Sequence, residues 1–148
     1  MLSQTVDYAL RAAVYLASER PAARTTEKIS EATLVPRQYL SKVMQSLVRA
    51  GIVNSQRGPN GGFTLLKSDK KLTVYEIVQA VDPIQRIREC PLGIKTHRGN
   101  LCPLHRRLDN AMAMVEDAFR KSTVAEILAE PSTLTPLCEV PSARKRKR

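Results

Sequence analysis

Tryptophan is missing from the 148 residues, and all aromatic residues together make up 4%. A chain of this size buries roughly 70% of the surface it exposes when unfolded. With hydrophobic content at 43%, its core must therefore be aliphatic. No apolar run approaches the ~18 residues of a membrane span, and Asp7 and Arg11 interrupt the early apolar positions. Neither a spanning helix nor a signal peptide is read, so a cytoplasmic protein is expected. Cysteine occurs three times, an odd number that argues against a disulfide framework in a reducing compartment. It leaves incidental thiols, a metal site or redox chemistry. Glycine occurs only six times, and no G-x-x-x-x-G-K-[ST] stretch is present, which excludes the common nucleotide-phosphate loop. Acidic residues are also scarce. Lys and Arg number 24 against 14 Asp and Glu, a net charge of +10, of which Arg144 to Arg148 supply five. The excess favours polyanions, nucleic acid first and acidic membrane second; for the tail alone, plain solvation explains the charge equally well.

Leu2, Val6, Leu10, Ala13, Val14 and Ala17 recur at helical spacing and predict a helix over about 3–18. Thr25 or Thr26 can cap a second, short helix carrying Ile29 and Ala32. A third begins near Pro36, which suits a first helical turn, and stops before Gly51. Its apolar stripe is Leu40, Val43, Met44, Leu47 and Val48. Arg37, Gln38, Ser41, Lys42 and Gln45 share the other face. A short helix, a tight connection and a helix with a polar-basic face form the grammar of a helix-turn-helix. Two strands follow, Ile52–Gln56 and Phe63–Leu66. Between them lies R-G-P-N-G-G, where Pro59, Asn60 and Gly61 supply turn chemistry through tolerance of positive φ. The order is that of a winged helix-turn-helix.

Arginine and lysine can reach guanine edges or phosphates, and Gln38 and Gln45 can bond adenine in bidentate fashion. Ser41 suits either, and the helix N-terminus favours a phosphate. A glycine-rich wing can lie close along a groove, with Arg57 entering a narrow minor groove. A solvated helix face and an ordinary hairpin would each look similar alone. Their succession, helix face then hairpin carrying Arg57, decides for DNA.

Thr73 and Glu76 form a capping box that opens a helix ended by Asp82-Pro83. Residues 84–101 read as irregular. From Cys102 a helix runs to about 120 with Leu104, Leu108, Ala111, Met112, Val115, Ala118 and Phe119 spaced three and four apart, a seam for self-association. A lone amphipathic helix on its own domain would show a similar stripe. Thr123 and Glu126 form a second capping box, and prolines 131, 136 and 141 mark a loose tail. The domains expected are a winged helix-turn-helix over 1–82, a cysteine-bearing loop over 83–101, a dimerisation helix with a short final helix over 102–130, and a flexible basic tail over 131–148.

The stretch E-C-P-L-G-I-K-T-H-R-G-N-L-C-P-L-H, residues 89–105, places Cys90, Cys102, His97 and His105 together. Cys102 at a helix start is favoured as a thiolate, and His105 lies one turn on, so both can face one ion. Two sulfurs and two nitrogens can hold zinc or a mixed-ligand 2Fe–2S cluster; a basic loop with unligated thiols is the plain alternative. Cys138 reads as incidental, or as a reserve ligand or resolving thiol.

Taken together, S-Q-T-V-D-Y-A-L-R-A-A-V-Y-L-A at 3–17, Y-L-S-K-V-M-Q-S-L-V-R-A-G-I-V at 39–53 and R-G-P-N-G-G-F-T-L at 57–65 resemble the bacterial IscR/NsrR-type regulators, over about residues 1–130. The resemblance implies a dimeric winged-helix transcription factor with a long dimerisation helix. It also implies a cysteine loop that often carries an iron–sulfur cluster sensing cluster supply, nitric oxide or redox state. Cluster-binding members usually show three loop cysteines; here His97 falls near the middle one. Cys102-Pro-Leu-His105 matches the Cys-x-x-His ending of one branch, and Asp7 occupies the place of an acidic first-helix ligand given by the partner subunit in the other. Some relatives lack the thiols and answer to protein or small-molecule partners. The expectation is a homodimeric repressor on a near-palindromic operator, with half-sites about one helical turn (~34–36 Å) or a multiple apart. A protein-binding winged module and a redox or metal-dependent enzyme are the rivals; the latter lacks a general base with a partner or a cofactor-binding glycine motif.

Overall fold

The first helix, α1 (Gln4–Ser18), is the axle of the fold. Ser3 caps it by accepting from the Val6 N–H at 3.3 Å. Small residues make its inner surface: Ala9, Ala12, Ala13 and Ala17 are all essentially inaccessible. Their size lets other elements approach closely, and α1 packs against α2 (Thr26–Thr33), α3 (Arg37–Arg49), α4 (Val74–Val81) and α6 (Val124–Ala129). The computed structural model describes residues 2–132. Cys138 and the Arg144–Arg148 run lie outside the described residues.

The turn between α2 and α3 is three residues, Leu34 to Pro36. Leu34 takes a left-handed conformation with φ 58, a costly choice for a residue with a Cβ. Val35 is fully buried, and Ser30 Oγ donates to its carbonyl at 2.6 Å. Thr33, buried as well, donates its hydroxyl to the Ile29 carbonyl at 2.6 Å. The Thr33 carbonyl accepts from the Arg11 guanidinium at 3.1 Å. The turn is thus tied to α2, and the end of α2 to α1.

Pro36 sits one place earlier than expected, as the N-cap of α3 rather than inside its first turn. It offers no side-chain cap; its carbonyl accepts from the Tyr39 and Leu40 amides. At the other end the Gly51 N–H bonds the Val48 carbonyl and the Ile52 N–H bonds the Leu47 carbonyl, with Gly51 at φ 72. That is a Schellman stop, which requires the left-handed glycine. Of the expected stripe, Leu40, Val43, Met44 and Leu47 are buried, while Val48 is 36% exposed.

The hairpin follows, β1 (Val53–Gln56) antiparallel to β2 (Gly62–Leu65), with Val53 opposite Leu65 and Gln56 opposite Gly62. A third piece was not legible in the sequence. Arg24, just before α2, pairs with Phe63 through N–H to carbonyl bonds of 3.0 and 2.8 Å, and so staples the wing to the helical body. Positive φ falls at Gly58 and Gly62, not at Asn60 or Gly61. Gly61 is needed for another reason: a Cβ there would lie 2.5 Å from the Gln56 carbonyl oxygen.

Thr73 and Glu76 make the expected capping box of α4. A 3-10 turn at Lys95–His97 interrupts the loop before α5 (Pro103–Lys121), and a second capping box, Thr123 with Glu126, opens α6. The start of α6 is tied to the body where the Val74 N–H bonds the Ser122 carbonyl and the Val124 N–H bonds the Leu72 carbonyl, both at 2.9 Å. Val124 is completely buried. The result is a mainly helical fold with one two-stranded wing. Among the described residues no helix is long and apolar enough to cross a membrane.

Candidate nucleic-acid interface and cysteine loop

The buried residues of α3 fall on one side, so the opposite side is forced outward. Arg37, Gln38, Ser41, Lys42 and Gln45 are all exposed. Arg49 joins them at the last turn, a position the sequence reading passed over. Arg37 is not a free cation: it bonds Glu27 of α2 at 2.8 Å. Both partners are more than half exposed, so the pair is weak and can exchange with another anion. Ser41 Oγ donates to the Arg37 carbonyl at 3.1 Å. Lys42 and Arg49 form no ion pair among the described residues.

Beside this face stands the wing. Arg57, Gly58, Pro59 and Asn60 are exposed at its tip, with Gly61 half-buried. Between helix and wing lies a groove of about 500 Å³, lined by Thr26, Ser41, Gln45, Val48, Arg49, Ser55 and Phe63. Helix and wing therefore share one concave surface. The exposure of Val48 makes sense here, because it forms part of the groove wall rather than the core.

The cysteine loop leads from α4 to α5 and is anchored by a clamp. The Arg86 guanidinium bonds both carboxylate oxygens of Asp109 at 2.7 Å and Glu116 at 3.1 Å. The Ile87 N–H adds a bond to Asp109 at 2.9 Å. The bond from Arg86, against a smaller opposing effect of burial, holds the Asp109 carboxyl below the usual carboxylate range. The start of the loop is thereby fixed to the side of α5.

Cys102 is the N-cap of α5, and its Sγ lies 3.4 Å from His105 Nδ1. Among the described residues this pair is the part of the expected ligand set in hydrogen-bonding contact. Cys90 is a half-buried free thiol. His97 carries an Nδ1 that is buried without a hydrogen-bond partner among the described residues. Asp7, half-exposed on α1, is engaged by Arg11 at 2.6 Å. Among the described residues no three His, Cys, Asp or Glu side chains converge within the single chain. The donor types suit a thiolate–imidazole metal centre, and the Cys102–His105 pair is spaced for one ion. The orphaned His97 nitrogen also fits, since ligation would relieve a desolvated polar atom.

On α5 the expected seam divides in two. Met112, Val115 and Phe119 are half-buried, Phe119 against the Val6, Val74 and Val78 cluster. Leu104 and Leu108 are 62% and 45% exposed and Ala111 is exposed as well; Met114, outside the seam, is also exposed. The helix keeps an unpartnered apolar stripe beside the face it buries.

A helix-turn-helix whose second helix shows a polar-basic face to the same groove as a β-hairpin defines the winged helix-turn-helix class of DNA-binding regulators. More narrowly, the chain belongs to the Rrf2 family of iron-dependent transcriptional regulators, whose family model matches residues 2–130. This is a family of regulators, not of enzymes. A protein of Aquifex aeolicus assigned as an HTH-type transcriptional regulator is 31% identical over 131 residues, covering 86% of this chain and 91% of the relative. An rrf2-like HTH-type regulator assigned in Rhodobacter capsulatus is 36% identical over 86 residues, 55% of this chain and 57% of the relative. Among solved structures, CymR (YrzC), the global cysteine regulator of B. subtilis, superposes with a TM-score of 0.74 at 20% identity, covering 89% of this chain and 98% of that one. IscR of T. potens gives 0.72 at 19% identity, covering 86% and 85%. These two likenesses speak for the fold.

Proposed function

We propose that this regulator works in the cytoplasm as a homodimer on near-palindromic DNA, as a repressor whose affinity is set at the Cys90–His105 loop. The observation that carries the DNA part is the shared groove: Ser41 and Gln45 from α3 and Ser55 and Phe63 from the wing line one surface. Arg37, Gln38, Ser41, Lys42 and Gln45 then enter the major groove, and Arg57, Asn60 and Gly61 lie along the adjacent minor groove. Leu104, Leu108 and Ala111, exposed three and four residues apart on α5, support pairing of two α5 helices, since apolar residues in a row on a helix gain by burial against a second copy.

Cys102, His105 and Cys90 would hold an iron–sulfur cluster, with His97 of the same loop or Asp7 of the second copy as the fourth ligand. Such a cluster supplies one-electron redox chemistry and reactivity toward nitric oxide. Zinc is the alternative occupant of the same donors. A cluster-free switch answering to a protein or small molecule is favoured by one observation: no three donors converge in the single chain among the described residues. The chain's own contribution is positional. Arg86 fixes the loop to α5 through Asp109 and Glu116, so a shift in the loop is passed to the dimer helix and thence to the spacing of two reading heads. For regulation, the two states must differ in DNA affinity.

The test is selection of duplexes from a random pool by the protein isolated without oxygen, followed by binding to the selected sequence and to a scrambled copy. Enrichment of an inverted repeat and preference for it over the scrambled duplex are expected. Absence of any sequence preference would leave a protein-binding winged module.

A further inference from the structure

We infer that the groove between α3 and the wing is a seat for the deoxyribose-phosphate strand that separates the major from the minor groove, with Arg49 as its phosphate ligand. This rests on the DNA-binding reading above and assigns a part of the duplex, the strand between the two grooves, that the reading leaves without a named ligand. If α3 occupies one groove and the wing the next, one backbone strand must pass between them. The surface lying there is the groove of about 500 Å³.

Its chemistry suits that occupant. Thr26, Ser41 and Ser55 contribute hydroxyls, Gln45 an amide and Arg49 a guanidinium, while Val48 and Phe63 give apolar wall. Hydroxyl, amide and guanidinium donors on an exposed surface are the groups that meet phosphate oxygens. The apolar wall matches the carbon face of the sugar. Thr26 is the first residue of α2, so the positive end of that helix borders the seat. Arg49 is exposed, has no acidic partner among the described residues, and touches only Ser46 Oγ at a long 3.4 Å. Arg37 differs, being engaged with Glu27. Arg49 is thus the cation available to the seat without breaking an existing pair. Among the described residues no carboxylate lines the groove, which leaves the charge of Arg49 without a counter-charge from them.

The experiment uses the full-length protein and a short mixed-sequence duplex, which reads phosphate contacts independently of the operator. Arg49→Gln is expected to weaken binding about tenfold or more and to reduce the slope of log affinity against log salt by about 0.9 for each protomer on DNA. Arg49→Lys should restore the slope and part of the affinity. The control Lys121→Gln, at a cation paired with Asp117 on α5, should leave both unchanged. If wild type shows a steep slope and Arg49→Gln keeps it, the seat is refuted while the DNA reading survives. If wild type itself shows no salt dependence, the DNA reading fails and takes the seat with it. Circular dichroism of each variant guards against misfolding, and Arg49→Lys provides the folded comparison.

Discussion

Replacing Gly62 by alanine tests how the wing is held. Gly62 has φ 132, and a Cβ there would lie 2.6 Å from the carbonyl carbon and oxygen of Arg24. Both atoms are backbone and cannot swing aside as a flexible side chain would. Relief requires the Arg24 segment to separate from β2. That movement breaks the two bonds of 3.0 and 2.8 Å between Arg24 and Phe63, each worth about 1 kcal/mol net. Forcing a side chain into this φ range adds about 1–3 kcal/mol. The expected loss is about 3–5 kcal/mol, a large part of the ~5–15 kcal/mol that a domain has. Gly58→Ala supplies the contrast. Its φ of 108 is also unfavourable, but a Cβ there meets nothing within 4 Å, so only the backbone cost of about 1–3 kcal/mol applies. Urea unfolding followed by circular dichroism measures both. DNA affinity should fall further in Gly62→Ala than in Gly58→Ala at equal folded fraction, because only the first detaches the wing. Equal destabilisation by the two substitutions, or a loss below about 1 kcal/mol in Gly62→Ala, would refute the stapled wing.

Leu108→Glu places a charge in the exposed α5 stripe and should convert dimer to monomer in sedimentation while leaving the helical signal intact; an unchanged mass would remove that stripe from the dimer contact. Cys102→Ala should abolish visible absorbance and iron in protein isolated without oxygen, and a colourless, iron-free wild type would leave zinc or no metal. Asp109 has a folded pKa below its ordinary value, so its contribution is complete above the unfolded value and is lost as pH falls through the folded one. The urea midpoint should therefore drop below about pH 4, and Asp109→Asn should flatten that drop; an identical acid profile in the variant would contradict the clamp.

The helices were legible because their signals are local. Thr25, Thr73 and Thr123 cap where side-chain chemistry requires, and Gly51 stops α3 through a left-handed residue that its neighbours could not supply. The polar face of α3 followed directly from the apolar spacing of Leu40, Val43, Met44 and Leu47. What escaped was non-local. The Arg24–Phe63 pairing joins a loop to a strand 39 positions later in the chain, and nothing in either stretch marks it. Arg86 meets Asp109 and Glu116 across 23 and 30 positions, invisible to any periodicity. Val48 belongs to the apolar stripe by spacing but lies at its edge, where it faces the groove beside the wing. The glycines of the wing were seen as one turn signal, although Gly58 and Gly62 answer a backbone angle and Gly61 a close contact. The cysteine loop remained a set of donor types: spacing within a helix predicted the Cys102–His105 approach, but an irregular segment offers no rule for placing Cys90 and His97.

Hydroxyl-radical footprinting of the protein on its selected duplex most directly examines whether α3 and the wing act as one DNA-gripping surface, presented twice by a symmetric pair. The account predicts two equivalent protected patches on one face of the duplex, with centres about one helical turn (~34–36 Å) or a multiple apart, each spanning a major groove and the adjoining minor groove. A single patch, protection confined to one groove, or uniform cleavage along the duplex would contradict it.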